Sequence, residues 1–185
     1  LKGNNDILNI TKEQLIYDIH LSYLEAGADI IETNTFNSTK TSQKDYNCES
    51  YSFKLNLNGA KLAKKSVEEY ISKNPGDVKI VAGVLGPTNR TCSISPDVSD
   101  PGFRNITFDE LVDDYEISVD ALTEGNVDLI MIETVFDTLN AKAALMAINK
   151  VEKKKNIKIP IMISATITDL SGRTLSGQTV EGFYN

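Results

Sequence analysis

Two rhythms of apolar residues alternate along this chain. Leu129-Ile130-Met131-Ile132 is a short unbroken apolar run, preceded by Gly125-Asn126 and closed by Glu133-Thr134. A run this short and this apolar predicts a strand buried on both faces, as in parallel sheets. The same phrase occurs earlier as Gly27-Ala28-Asp29-Ile30-Ile31-Glu32-Thr33, and 78–85 and 159–167 read as two further strands. Gly83, inside one of them, marks a close backbone approach. Between the strands the spacing turns helical. Thr11 and Gln14 form a T-x-x-Q capping box before Leu15, Ile19 and Tyr23, with Ile16 and Leu24 beside them, until Gly27 ends the helix. Leu55, Leu62, Val67 and Ile71 mark a second helix that stops before Pro75-Gly76. A second box, Thr107 with Glu110, opens a helix carrying Leu111, Tyr115, Val119 and Leu122. Asp137 caps a fourth, with Ala143, Ala147, Ile148 and Val151 on one face and Lys153 to Lys155 near its end, where they suit the helix dipole. Another helix begins at Thr179. Residues 1–9, 36–50, 86–106 and 168–178 read as loops.

Strands alternating with helices imply a parallel α/β sheet. The loops entering the strands are short, while those leaving the first, second and fourth are long and polar. That asymmetry collects the long loops at the carboxyl ends of the strands, where an α/β barrel presents its active-site face. The predicted fold is therefore a partial (β/α)8 TIM barrel of about four consecutive βα units. Four strands do not close a barrel of eight. Residues 1–185 are accordingly expected to be an internal segment of a larger domain, truncated at both ends. Its open sheet would expose apolar edges, so poor solubility in isolation is expected.

Composition narrows the function classes. A net charge of -7 over 185 residues, with no basic cluster, argues against a nucleic-acid footprint. No apolar run approaches the roughly 20 residues that cross a bilayer, and no signal peptide opens the chain, so a cytoplasmic protein is expected. Cys48 and Cys92 have neither metal nor redox spacing. His20, alone on its helix, reads as a boundary residue rather than a ligand. Only three of the 19 basic residues are arginines: Arg90, Arg104 and Arg173, all in the long loops. Each offers a bidentate fork for a carboxylate or phosphate, or pins its own loop by pairing with Asp97, Asp100 or Asp169. Both readings stand.

Longer strings are more specific. They are Gly3 to Asp6, Glu25 to Phe36, Ala82 to Thr91, Ser93 to Val98, Phe103 to Phe108, Ile132 to Lys142 and Ser171 to Gln178. Across nearly the whole chain they resemble the homocysteine-binding (homocysteine S-methyltransferase) domain of cobalamin-dependent methionine synthases. The broader family shares the barrel and the Glu-Thr strand ends, whereas the text of the 86–106 loop looks particular to the cobalamin-dependent enzymes. The resemblance implies a barrel that binds zinc through three cysteine thiolates. The zinc holds homocysteine as a thiolate, which takes the methyl group of methylcobalamin, itself charged by methyltetrahydrofolate. Cobalamin-binding and folate-binding domains of the same polypeptide are the implied partners. Betaine or S-methylmethionine as donor, and a non-catalytic truncated half-barrel, are the alternatives.

The family's zinc cysteines lie on later strands, expected beyond Asn185, and neither Cys48 nor Cys92 matches them. No catalytic residue and no metal ligand is therefore expected within this segment, and alone it should bind neither cofactor nor turn over. What remains is the amino-acid side of the pocket. By the resemblance, Glu133 pairs with the homocysteine ammonium, and a carboxylate at the end of an apolar strand is costly without a cationic partner. An arginine or a capping amide is the competing partner. Asn34 either orients substrate or caps its loop. Ser164 and Thr166 share one face of the fourth strand by alternation and are expected to line the pocket. Glu32 reads as structural.

Overall fold

The computed structural model describes residues 2–185; Leu1, at the start of the loop expected over 1–9, lies outside them. Four strands form one parallel sheet in the order β1 (Ile30–Glu32), β2 (Ile80–Leu85), β3 (Leu129–Val135), β4 (Ile161–Ala165). They alternate with helices α2 (Glu13–Glu25), α4 (Ser52–Lys73), α5 (Phe108–Glu124) and α6 (Thr138–Lys155). Short helices α1 (Leu8–Thr11), α3 (Lys40–Gln43) and α7 (Val180–Tyr184) complete the set. This is the alternating α/β order of a partial TIM barrel.

Helices cover one face of the sheet. Leu111, Tyr115, Val119 and Leu122 of α5 pack with Ala143, Ala147, Ile148 and Val151 of α6 over Ile130 and Ile132 of β3. Each large side chain buried there contributes about 1.5–3 kcal/mol. A smaller cluster joins Leu24, Ile31, Ala63, Val67 and Val81 beneath α2 and α4. Lys154 and Lys155 bridge to Asp120 of α5, adding ion pairs to the helix contact. The opposite face is open. Met162 of β4, paired with Met131, is about 40% exposed there, and Ile161 and Ile163, paired with Ile130 and Ile132, are equally exposed on the helix side, so the expectation of burial on both faces fails for β4 and holds for the other strands only on the helix side.

Three local expectations are corrected. Thr11 and Gln14 form no capping box: α1 extends through Thr11, whose hydroxyl bonds back to the Ile7 carbonyl, while Gln14 donates to Asp18. The N-cap of α2 is Lys12, with no side-chain bond. Secondly, the buried face of α2 is Ile16, Tyr17, His20 and Leu24, leaving Leu15, Ile19 and Tyr23 exposed. Both sets have helical spacing, and only the packing partner decides between them. Thirdly, 36–50 contains α3 and two 3-10 turns, Lys44–Tyr46 and Glu49–Tyr51. Asp114 of α5 accepts the Lys40 and Thr41 amides at 2.7 Å each and holds this segment from a distance in sequence. The Thr107–Glu110 box and the Asp137 cap form as read.

Candidate active site

The carboxyl ends of the strands carry the polar residues. Ile31 points into the helical core, so its neighbours Ile30 and Glu32 face the open side. Ile130 and Ile132 do the same on β3, which gives Met131 and Glu133 to that side. Glu133 is half-buried, and its carboxyl is pushed above the usual range, first by burial and then by the charge of Glu32. Thr134 bonds it weakly, Oγ1 to Oε2 at 3.4 Å, and counteracts the rise. Among the described residues no lysine or arginine pairs with either glutamate. Two carboxylates thus share the open face, and protonation, or a cation arriving from outside, would relieve them.

The other candidates divide. Ser164 stands beside Glu133, its Oγ accepting the Thr134 amide at 3.3 Å. Thr166 follows β4, and its amide donates to the Val135 carbonyl at 2.9 Å. Asn34 turns away. Its amide donates to the Asn5 carbonyl (3.1 Å) and Asn9 Oδ1 (2.9 Å), while Asn9 returns a 2.7 Å bond to the Asn34 carbonyl. This clasp ties the N-terminal segment to the loop after β1. Asn34 also lines a cleft of about 390 Å³ beside β1, together with Glu32 and His20. His20 is only 6% exposed, its Nε2 has no partner, and burial lowers its pKa to about 4. The boundary reading of His20 is corrected: its side chain is buried at the base of the cleft that the exposed Ile19 and Tyr23 also line.

Several network residues escaped the sequence reading. Asp6, buried within the Gly3–Asp6 string, accepts the Asn37 amide (2.7 Å) and the Ser38 hydroxyl (2.9 Å), and burial pushes its carboxyl up to about 6. Burial also raises Tyr115, whose hydroxyl donates to the Gly86 carbonyl at 2.9 Å. The sequence signal was an acid inside a strongly worded motif for Asp6, and for Tyr115 only its place on the apolar face of its helix. The 86–106 loop has no regular structure, yet it is pinned. Asp137 accepts the Ser93 amide and hydroxyl, and Asn140 binds the Cys92 amide and the Arg90 carbonyl. Arg104 donates to the carbonyls of Cys92, Pro101 and Phe103, and Arg173 to that of Gly177. Neither arginine is held by the aspartates proposed for it. Arg90 lines a second cleft, of about 300 Å³, with Lys40, Lys44 and Glu110.

The described residues do not fit a zinc ion. They contain no cluster of three or more histidine, cysteine, aspartate or glutamate side chains placed to hold one. The buried Cys48 thiol donates to the Tyr46 carbonyl, and burial raises Cys92, opposite to the depression a metal-bound thiolate shows. Among these residues no helix is long and apolar enough to cross a membrane.

A family model described as homocysteine S-methyltransferase matches residues 2–185. Three crystal structures of the homocysteine methyltransferase MmuM from Escherichia coli share the fold. The metallated form superposes with a TM-score of 0.76 at 21% identity, covering 99% of this chain and 63% of that one. The oxidised form gives 0.75 at 21% (97% and 61% covered), and the apo form 0.70 at 22% (97% and 59%). The chain thus spans a little under two thirds of the length of these relatives.

Proposed function

Because the chain belongs to the homocysteine S-methyltransferase family, we propose that it supplies the amino-acid side of a homocysteine pocket in a methionine synthase. Residues 1–185 are then part of one larger barrel domain in a cytoplasmic enzyme. The observation that carries the reading is Glu133: a half-buried carboxylate on the open face, beside Glu32, with no cationic partner among the described residues. An α-ammonium group seated there would neutralise it and restore the ordinary pKa. Ser164 and Thr166 stand on the same stretch of wall and offer hydroxyls to the substrate. Asn34 acts at one remove, holding the loop after β1 through Asn5 and Asn9.

The chemistry assigned to the whole enzyme is methyl transfer from methylcobalamin, charged by methyltetrahydrofolate, to the homocysteine sulfur. Zinc and methylcobalamin belong to parts of the polypeptide outside these residues, as do the cobalamin-binding and folate-binding partner domains. S-methylmethionine and betaine are the competing donors. Supplying methylcobalamin, S-methylmethionine and betaine separately to the full-length protein with homocysteine, and measuring methionine, tests the reading. Methionine from methylcobalamin alone supports it. Turnover with either other donor replaces the donor assignment, and no binding of homocysteine at all removes the pocket.

A further inference from the structure

β3 contains one residue too many. Ile132 pairs with Ile163 and Val135 with Ala165, so three steps along β3 match two along β4, and the register breaks between them. Thr134 takes up the difference, with φ at +56°. A β-branched residue there is an outlier, because its side chain crowds the backbone in the left-handed region. The bulge has a clear effect on facing. Strict alternation from Ile132 would send Val135 to the open side and Thr134 into the helices. Instead Val135 is buried in the same cluster as Ile130 and Ile132. Glu133 and Thr134 together stand opposite Ser164, the arrangement a bulge produces.

We infer that Thr134 is a positioning residue: its bulged backbone delivers two consecutive polar side chains to the open face and fixes the Glu133 carboxylate for an ammonium group. Its contacts agree. The Thr134 hydroxyl reaches Glu133 Oε2, and its amide reaches Ser164 Oγ. Both distances exceed 3.2 Å, as is common in a site that tightens only around its ligand. Strain held at a functional position in this way trades stability for geometry. The inference rests on the homocysteine reading of Glu133 and gives that reading its local cause.

Three variants of the full-length protein test it: Thr134→Ser, Thr134→Val and Thr134→Gly. Homocysteine binding is measured by calorimetry. The Glu133 carboxyl is titrated by carbon-13 NMR, its signal assigned with Glu133→Gln. The expected result is about tenfold weaker binding in the valine and glycine variants, with serine restoring it, since a hydroxyl bond to a charged group is worth about that much. The Glu133 titration moves higher in the valine and glycine variants and not in the serine one. Thr134→Gly, which suits a positive φ, raises the thermal midpoint while weakening binding, whereas a merely structural threonine would leave binding untouched. An unchanged Glu133 titration in both the valine and glycine variants overturns the inference. Wild-type protein that binds no homocysteine strikes the proposed pocket instead, and the titration still decides the role of Thr134.

Discussion

At the end of β1, the Thr33 amide continues the ladder to the Ala82 carbonyl, and its buried hydroxyl bonds Thr35 Oγ1 and the Val84 amide. At the end of β3, Thr134 leaves the ladder in a left-handed bulge and turns its hydroxyl to the preceding glutamate. The two-residue phrase is the same in both places, and the surroundings are not. Thr33 spends its polar atoms stitching β1 to β2, which leaves Glu32 exposed with no bond from its neighbour. Thr134 spends them on the site. The difference teaches that the same Glu-Thr strand end holds its glutamate through the threonine only where the backbone breaks phase.

The sharpest way to break this comparison is to neutralise each glutamate. Glu133→Gln is expected to weaken homocysteine binding about 100-fold, the usual cost of removing one partner of a desolvated charge pair. Glu32→Gln should cost less than about threefold, because Glu32 is exposed and solvent screens its pull on the ammonium. Calorimetry on the full-length protein measures both. Equal losses would make the two ends equivalent.

A pH titration of stability separates the β1 side next. Burial lowers the folded pKa of His20 to about 4, below the ordinary 6.5 of an unfolded chain. Its unfolded form therefore takes up the proton first, and stability falls as the pH drops from 6.5 through 4. Asp6 has the opposite sign. Its folded pKa of about 6 lies above 3.8, so its contribution is present below 3.8 and lost as the pH rises through 6. Each amounts to about 3 kcal/mol in full, and between pH 4 and 6 they offset. His20→Phe should then lose stability as the pH rises across that window, and Asp6→Asn as it falls. Urea midpoints at several pH values check this. Two variants with curves parallel to wild type would contradict it.

Thr33→Val should cost about 2 kcal/mol, because it leaves the buried Val84 amide unpaired. Thermal melts of this variant beside Thr134→Gly should move in opposite directions. The smallest effect distinguishes the two apparent capping boxes: Thr107→Ala costs about 1 kcal/mol, and Thr11→Ala almost nothing.

Much of the architecture was legible because hydrophobic period and element length agree. Leu111, Tyr115, Val119 and Leu122 announced the buried face of α5, and all four are buried. The α2 face was misread because Leu15, Ile19 and Tyr23 repeat at the same spacing as Ile16, His20 and Leu24. Period alone cannot choose between two stripes one residue apart. The site was legible as residue types at strand ends, but its geometry was not. A bulge is an extra residue in a register with a partner strand, and it has no signature in one strand read alone. The loop networks hid for the same reason: Asp114 meets Lys40, and Asp137 meets Ser93, only after the sheet has formed.

The most direct test of the central claim is a crystal structure of the full-length protein with homocysteine bound. The account predicts the amino nitrogen about 2.7–3.2 Å from a Glu133 carboxylate oxygen, with Thr134 still at positive φ and its hydroxyl closed onto the same carboxylate. An amino group seated against Glu32, or a β3 end that straightens when homocysteine binds, would contradict it.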